Sequence, residues 1–122
     1  MRIVIKMEIK ALKKSARSYL KAKTEYYANI MGLKYGRITI TSAKKRFGSC
    51  SSAGNISYSY RLMMYPEAAR EYVVVHELAH LLEMNHSKKF WAEVEKVLPD
   101  YEMSYSWLKK HGGELMAQLP EK

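Results

Sequence analysis

Hydrophobic side chains recur at three- and four-residue steps between Lys6 and Met31, with lysines and arginines in the positions between them. This period predicts an amphipathic helix with one apolar stripe and one basic face. The stripe consists of Ile9, Leu12, Ala16, Leu20, Tyr27 and Ile30. Gly32 follows the stripe and is expected to end the helix. Residues 2–6 precede the pattern and form either a short strand or a lead-in.

Three short runs after this helix have the pattern of strands. Arg37–Thr41 is β-branched and alternating, Lys45–Ser52 is less regular, and Ile56–Leu62 alternates again. Turn residues around Gly54 join the last two runs into a predicted hairpin. We therefore expect a small, mostly antiparallel sheet. Gly48, inside the second run, indicates a bulge or a close approach of another backbone.

The segment from Pro66 to about Met84 is apolar on nearly every side of a helical projection. Pro66 suits the start of a helix. Val73–Val75 is β-prone, but the length of the segment and the spacing of its histidines favour a helix. A helix that is apolar all round is buried, so the other elements should pack around this one.

Two shorter helices are expected at the C-terminal end. Ser87 is the predicted N-cap of the first, which Pro99 ends. The second covers Tyr105–Lys110 and is closed by the glycines at positions 112 and 113. Together the elements predict an α+β fold in which residues 1–122 form a single domain.

The composition narrows the class of protein. Hydrophobic residues make up 48% of 122, which is enough for a core. Cys50 is the one cysteine, so an intrachain disulfide and a cysteine-based zinc knuckle are excluded. We expect a small, semi-buried thiol there, not a nucleophile. No segment has the length of a signal sequence core or a membrane span, and we predict a cytoplasmic protein with no membrane partner.

The positive charge is concentrated in the first part of the chain. Residues 1–46 contain 13 lysines and arginines against two acids, whereas residues 47–122 contain eight against ten. A basic half suggests an anionic partner, and nucleic acid binding through Lys13, Lys14 and Arg17 is one hypothesis. The alternative is a solvated helix face that only keeps the protein soluble.

The central helix contains the pattern His-Glu-x-x-His. His76 and His80 are four residues apart, so they lie on one face of the helix and can share a metal ion. Zn²⁺ suits such imidazole ligands. Glu77 points about 100° away from His76 and is free to act as the general base on a water molecule. His111, at the end of a predicted helix, is expected to be an exposed residue interacting with the helix dipole.

The third ligand and the group that stabilises the oxyanion remain open. His86 follows His80 by six residues and could return to the metal if the chain leaves the helix and turns back. Glu93 or Glu95 on the next helix is the rival ligand, because sites with two histidines and a glutamate exist. A phenol could stabilise the oxyanion. The candidates are Tyr58, Tyr60, Tyr101 and Tyr105.

With these residues in view, the chain resembles the YgjP-like metallopeptidase family, which is related to the SprT-like and WLM zinc peptidases. The resemblance covers roughly residues 8–112. The blocks that carry it are Arg46–Ser52 with Gly54–Ile56, Val73–His80, Met84–Trp91, Pro99–Tyr101 and Trp107–Gly112. Phe47 stands where the family usually has Trp.

The resemblance implies a zincin-like fold and a single set of functional residues. His76, His80 and His86 would bind Zn²⁺, Glu77 would be the catalytic base, and Gly48–Cys50 would form a strand along which a peptide substrate binds. The Phe90-Trp91 pair is expected to pack in the core and fix the loop that carries His86.

Three functional hypotheses follow from the sequence. The first is a zinc-dependent peptidase acting on a peptide or protein substrate. The alternative is a basic, nucleic-acid-associated module in which the zinc site is structural or of secondary importance. The third is a domain stabilised by metal without turnover, which would unfold when the metal is removed.

Overall fold

The computed structural model describes residues 2–111, with side chains from residue 7 onward. Within this range the elements follow one another as four α-helices, three strands and one 3₁₀ helix. They are α1 (Arg2–Met31), β1 (Ile38–Thr41), β2 (Gly48–Cys50), β3 (Ile56–Ser59), the 3₁₀ helix (Tyr60–Met64), α2 (Glu67–Ala79), α3 (Lys88–Val97) and α4 (Tyr101–His111). The α+β class is confirmed.

Helix α1 begins at Arg2, so residues 2–6 are helical and the strand alternative is wrong. No glycine or proline interrupts these residues, and adding a turn to an existing helix costs far less than starting a new element. Gly32 ends the helix at φ 68°, as predicted. The predicted stripe is buried at Leu20 and Tyr27, whereas Ile30 is 55% exposed.

The sheet has the order β1-β3-β2. β2 and β3 are antiparallel and form the predicted hairpin, in which Gly54 has φ 86°. β1 and β3 are parallel, so the sheet has one pair of each kind and is not mostly antiparallel. β3 is the most buried of the three strands and takes the central position, which leaves β1 and β2 on opposite sides of it.

Gly48 provides the close backbone approach that its position indicated. A Cβ atom there would lie 2.5 Å from the carbonyl oxygen of Ser57 on β3. Only glycine therefore permits the observed pairing of β2 with β3 at this point.

Helix α2 is the buried centre of the fold, with every residue from Tyr72 to Ala79 buried. It ends at Ala79, earlier than the predicted Met84, and His80 is its C-cap. Leu82 and Met84, which continue the apolar pattern, are 45% and 51% exposed. Leu82 lies in a turn, in which its backbone N–H and that of Glu83 both donate to the carbonyl oxygen of Ala79 at 3.0 Å.

The C-terminal helices pack on α2. Ser87 is the N-cap of α3, since its hydroxyl accepts a hydrogen bond from the Phe90 backbone N–H at 3.3 Å. α4 begins at Tyr101, four residues earlier than predicted, because Tyr101 and Tyr105 both pack against Tyr72. The glycines at 112 and 113 lie outside the described residues. Between residues 2 and 111, no helix combines the length and the hydropathy needed to cross a bilayer.

Candidate active site

The cleft between α2 and β2 encloses a cavity of about 280 Å³. His76, Glu77, His80, Met84 and His86 line one side. The other side is formed by residues at and before β2, namely Arg46, Gly48, Ser49 and Cys50. The structure thus brings together all seven residues predicted for the metal, the base and the substrate strand.

The three histidines are close enough to hold one metal ion. One ring nitrogen from each of His76, His80 and His86 lies within 4.8 Å of the other two. The Nε2 atoms of His76 and His86 are 3.4 Å apart. A tetrahedral ion bound at about 2.05 Å by two nitrogens separates them by about 3.3 Å. The distance between these two rings therefore matches the ligand spacing of a tetrahedral metal site.

Neighbouring groups orient the rings of the two helical histidines. The Nδ1 atom of His80 lies 3.1 Å from the carbonyl oxygen of Glu83, which can only accept, so Nδ1 carries the proton. The Nδ1 atom of His76 lies 3.4 Å from the hydroxyl of Tyr72. In both rings the contact at Nδ1 leaves Nε2 for a metal, which is the usual arrangement around metal-binding histidines.

Burial keeps the three imidazoles in the neutral form that binds metals. It lowers the pKa of His76 well below its usual value, and the neighbouring His80 and His86 add to the effect. Burial also lowers the pKa of His80, partly opposed by hydrogen bonds to the backbone at Glu83 and Met84, and that of His86. All three rings are consequently neutral near pH 7.

Aromatic rings from α3 hold the three imidazoles in place. The ring of Phe90 is fully buried, and its centroid lies 4.6 Å from that of His80 and 4.9 Å from that of His86. Trp91 stacks on Tyr101 at 5.5 Å. His86 itself lies on an exposed segment, so its contact with Phe90 ties that segment to the core. This packing confirms the role expected for the Phe90-Trp91 pair.

Glu77 is 2% exposed and lines the cavity beside His76. A Cβ atom at Gly48 would lie 3.5 Å from the Cγ atom of Glu77. This is an ordinary van der Waals distance, so β2 at Gly48 packs directly beside the stem of Glu77.

Comparisons with known proteins agree with this geometry. A sequence model of the family described as YgjP-like, metallopeptidase domain, matches residues 4–111. The chain belongs to the YgjP-like metallopeptidase family. Membership implies a divalent metal, and the histidine cluster is in place for one. No curated protein sequence matches the chain.

Two solved structures have the same fold. The metallopeptidase zymogen abylysin from Pyrococcus abyssi is 27% identical, with a TM-score of 0.66, over 76% of this chain and 95% of that one. The zymogen jannalysin from Methanocaldococcus jannaschii is 22% identical, with a TM-score of 0.62, over 75% and 92%. Both similarities support the zincin-like architecture expected from the sequence.

Several candidates from the sequence lie away from the cleft of this YgjP-like chain. None of the four candidate tyrosines lines the cavity, and the hydroxyl of Tyr58 is instead bonded to Thr24 at 2.8 Å. Neither Glu93 nor Glu95 belongs to the cluster that could hold a metal, and Glu93 pairs with Lys96 at 3.1 Å. Helical periodicity could not exclude them, because it carries no information on how the helices pack.

Two other residues have the environments that the sequence suggested. Burial, together with the negative charge of Glu77, raises the pKa of Cys50 to about 11. The thiol is therefore protonated near pH 7, which argues against a nucleophile. His111 is exposed at the end of α4, with its ring 4.7 Å from that of Trp107.

Three residues of the site escaped the sequence analysis. Tyr72 precedes His76 by four residues, so its contact with that ring follows from helical spacing and could have been found. Met84 and Arg46 lie on irregular segments, and no periodic pattern places them. Arg46 lies in the same extended run as Gly48, and this shared run was the one feature of the sequence that could have placed Arg46 at the site.

Proposed function

We propose that this chain is a zinc-dependent peptidase with His76, His80 and His86 as zinc ligands and Glu77 as general base. The observation that carries the proposal is the cluster of three neutral imidazoles beside a buried glutamate in an open cleft. Zinc is the metal we favour, because three imidazoles with an open fourth position form a common catalytic zinc site.

The bound metal would polarise the scissile carbonyl and acidify a water molecule. Glu77 then accepts a proton from the attacking water and later donates it to the leaving amine. Its position next to His76 in the chain keeps the carboxylate close to the metal without requiring it to be a ligand. Glu77 is 2% exposed, so few water molecules compete for its carboxylate during this transfer.

The substrate is proposed to bind as an extended peptide along β2. Among residues 2–111 this strand is the outer one on its side of the sheet, and Gly48, Ser49 and Cys50 all line the cleft. Addition of a strand at a sheet edge supplies main-chain hydrogen bonds and depends little on sequence. The arrangement therefore suits a peptide or protein substrate.

The test compares Glu77→Gln with the wild type. The variant should retain about one zinc per chain and lose hydrolysis of an unstructured protein by about 10²-fold or more. Glu95→Gln, which changes an exposed carboxylate on α3, is the matched control and should behave as the wild type. A Glu77→Gln variant with full activity would rule out the proposed base, and a fourth protein ligand in a zinc-bound structure would rule out turnover.

A second candidate function is nucleic acid binding by the basic face of α1, and one observation favours it. Lys10, Lys14, Arg17 and Lys21 are exposed and follow one another at steps of four, three and four residues, so they form a single stripe. Lys13, a predicted contact, is instead partly buried, with its ammonium group 5.5 Å from the ring centroid of Tyr60.

Fluorescence anisotropy with labelled single-stranded DNA would test this second function. Binding should weaken steeply with salt, and replacing Lys14 and Arg17 by Gln should reduce the slope of log K against log salt by about 1.4. Lys109→Gln with Lys110→Gln, on α4, is the control. Binding that is unaffected by the α1 change would leave the solvated-face interpretation. We also propose a cytoplasmic location, in keeping with the single cysteine, which suggests a reducing compartment.

A further inference from the structure

We propose that Arg46 stabilises the negative charge that develops on the scissile carbonyl oxygen. The inference rests on the proposed peptidase function, in which the metal would polarise the scissile carbonyl. Arg46 would be the second positive group that acts on the same oxygen. None of the tyrosines considered for this role lines the cavity, whereas Arg46 does.

The backbone at Arg46 is held by its neighbour. Phe47 is fully buried, its carbonyl oxygen accepts a hydrogen bond from the Ser59 N–H at 2.7 Å, and its ring packs against Tyr65 at 5.4 Å. Arg46 itself is exposed at the cavity. A fixed backbone with a long side chain at the rim places a cation at the cleft without burying it.

The other residues that line the cavity do not supply a comparable donor. The histidines are assigned to the metal, Glu77 is an acceptor, and Gly48 and Met84 have no polar hydrogen in their side chains. The Ser49 hydroxyl is 2.6 Å from that of Ser57, and the Cys50 thiol is a weak donor. Arg46 is thus the charged donor of the described cleft.

The guanidinium groups of Arg70 and Arg46 have different hydrogen-bond partners. Arg70 donates from Nε to the carbonyl of Tyr65 at 2.7 Å and from Nη2 to that of Met63 at 2.9 Å, so it has a structural role. Arg46 forms no ion pair with another residue of the range 7–111. Its guanidinium group lines the cleft and is not neutralised there by a carboxylate within this range.

The charge that Arg46 would meet arises in the first step of hydrolysis. The water oxygen bonds to the carbonyl carbon, the π electrons move to the carbonyl oxygen, and the water proton goes to Glu77. When the C–N bond breaks, the oxygen returns its electrons and the amine takes the proton from Glu77. A guanidinium group stabilises the oxyanion by charge-assisted hydrogen bonds that are stronger in the transition state than in the ground state.

The experiment compares Arg46→Gln and Arg46→Lys with the control Lys45→Gln, a change of equal charge at the adjacent exposed position. With zinc-loaded protein and a neutral peptide, Arg46→Gln should lower kcat by about 10²- to 10³-fold with KM nearly unchanged. Arg46→Lys should recover part of the loss, because an ammonium group keeps the charge but not the planar fork. Lys45→Gln should stay within about twofold of the wild type.

A binding measurement separates the transition state from the ground state. By calorimetry, the affinity for a phosphinic peptide, which is tetrahedral and anionic, should fall in Arg46→Gln in parallel with kcat. The affinity for an uncleaved peptide, measured in Glu77→Gln with and without Arg46→Gln, should not change. Unchanged melting curves of the variants would show that the fold is retained.

Two results would overturn the inference. One is a loss of activity confined to peptides with acidic side chains, which would make Arg46 a selector of substrate charge. The other is an unchanged affinity for the phosphinic peptide. If the wild type cleaves no peptide, the proposed function fails, and the phosphinic peptide affinity still decides the role of Arg46.

Discussion

Replacing Gly48 with Ala should damage both the fold and the site, because this residue joins β2 to both β3 and α2. The new Cβ would lie 2.5 Å from the Ser57 carbonyl oxygen and 3.2 Å from Cδ1 of Tyr58. An ordinary contact begins near 3.4 Å, so β2 must move by about 0.9 Å from β3. Overpacking of this kind lowers the free energy of unfolding by about 1–3 kcal/mol. We expect a value near the upper end, because the clash is with backbone.

The displacement should lower stability and activity by comparable free energies. A cost of about 2–3 kcal/mol lowers the melting temperature of a chain of this size by about 8–12 °C. Moving the wall beside Glu77 by nearly 1 Å should lower kcat/KM by about 10²-fold. Differential scanning calorimetry and a peptide hydrolysis assay measure the two effects.

Gly32→Ala is the matched control for this substitution. At Gly32, with φ 68°, a Cβ atom would have no heavy atom within 4 Å. This change should therefore cost only the strain of a left-handed residue, about 1–2 kcal/mol, and leave kcat/KM unchanged. A Gly48→Ala variant with the melting temperature and activity of the wild type would refute the close approach on which the reasoning rests.

Three further predictions concern the metal site. Tyr72→Phe removes the hydroxyl 3.4 Å from Nδ1 of His76 and should weaken zinc binding by about 10-fold in a chelator competition, whereas unchanged affinity would show that this contact does not orient the ring. Burial lowers the pKa of His76 below the 6.5 of an unfolded chain, so the unfolded state takes up protons first as the pH falls. The melting temperature of the metal-free protein should accordingly drop between about pH 7.5 and about pH 5.5, and a rise would contradict the neutral imidazoles. A chelator should lower the melting temperature without unfolding the protein, because side chains, and not the metal, bury α2. Loss of the far-ultraviolet circular dichroism signal at about 25 °C after chelation would instead support the hypothesis of a structural zinc.

The part of the site that depends on one helix was accessible from the sequence. Spacing along α2 places His76 and His80 on one face and Glu77 to the side, and no long-range information is needed. The hairpin of β2 and β3 was equally local, because Gly54 specifies its turn. The position of β1 beside β3 could not be predicted from local sequence. Alternation shows which residues lie on each face of a strand, but it shows neither the neighbouring strand nor its direction.

The cleft also depends on contacts between distant segments. Arg46 reaches it because Phe47 continues the hairpin register with β3, but the hairpin pattern does not encode that α2 packs against β2. The tyrosines proposed for the oxyanion failed for a related reason. Tyr101 and Tyr105 pack against Tyr72 in the core, where their rings extend the aromatic support of the histidines.

The early end of α2 is what turns a pair of histidines into a three-sided site. Had the helix continued to Met84 and beyond, His86 would lie about 9 Å further along the axis than His80 and on a different face. No such position permits ring nitrogens within 4.8 Å of one another. Because the chain leaves the helix at His80, the carbonyl of Glu83 turns back to accept from that ring, and the same turn returns His86 to the metal face. The exposure of Leu82 and Met84 is thus a consequence of the turn that completes the ligand set.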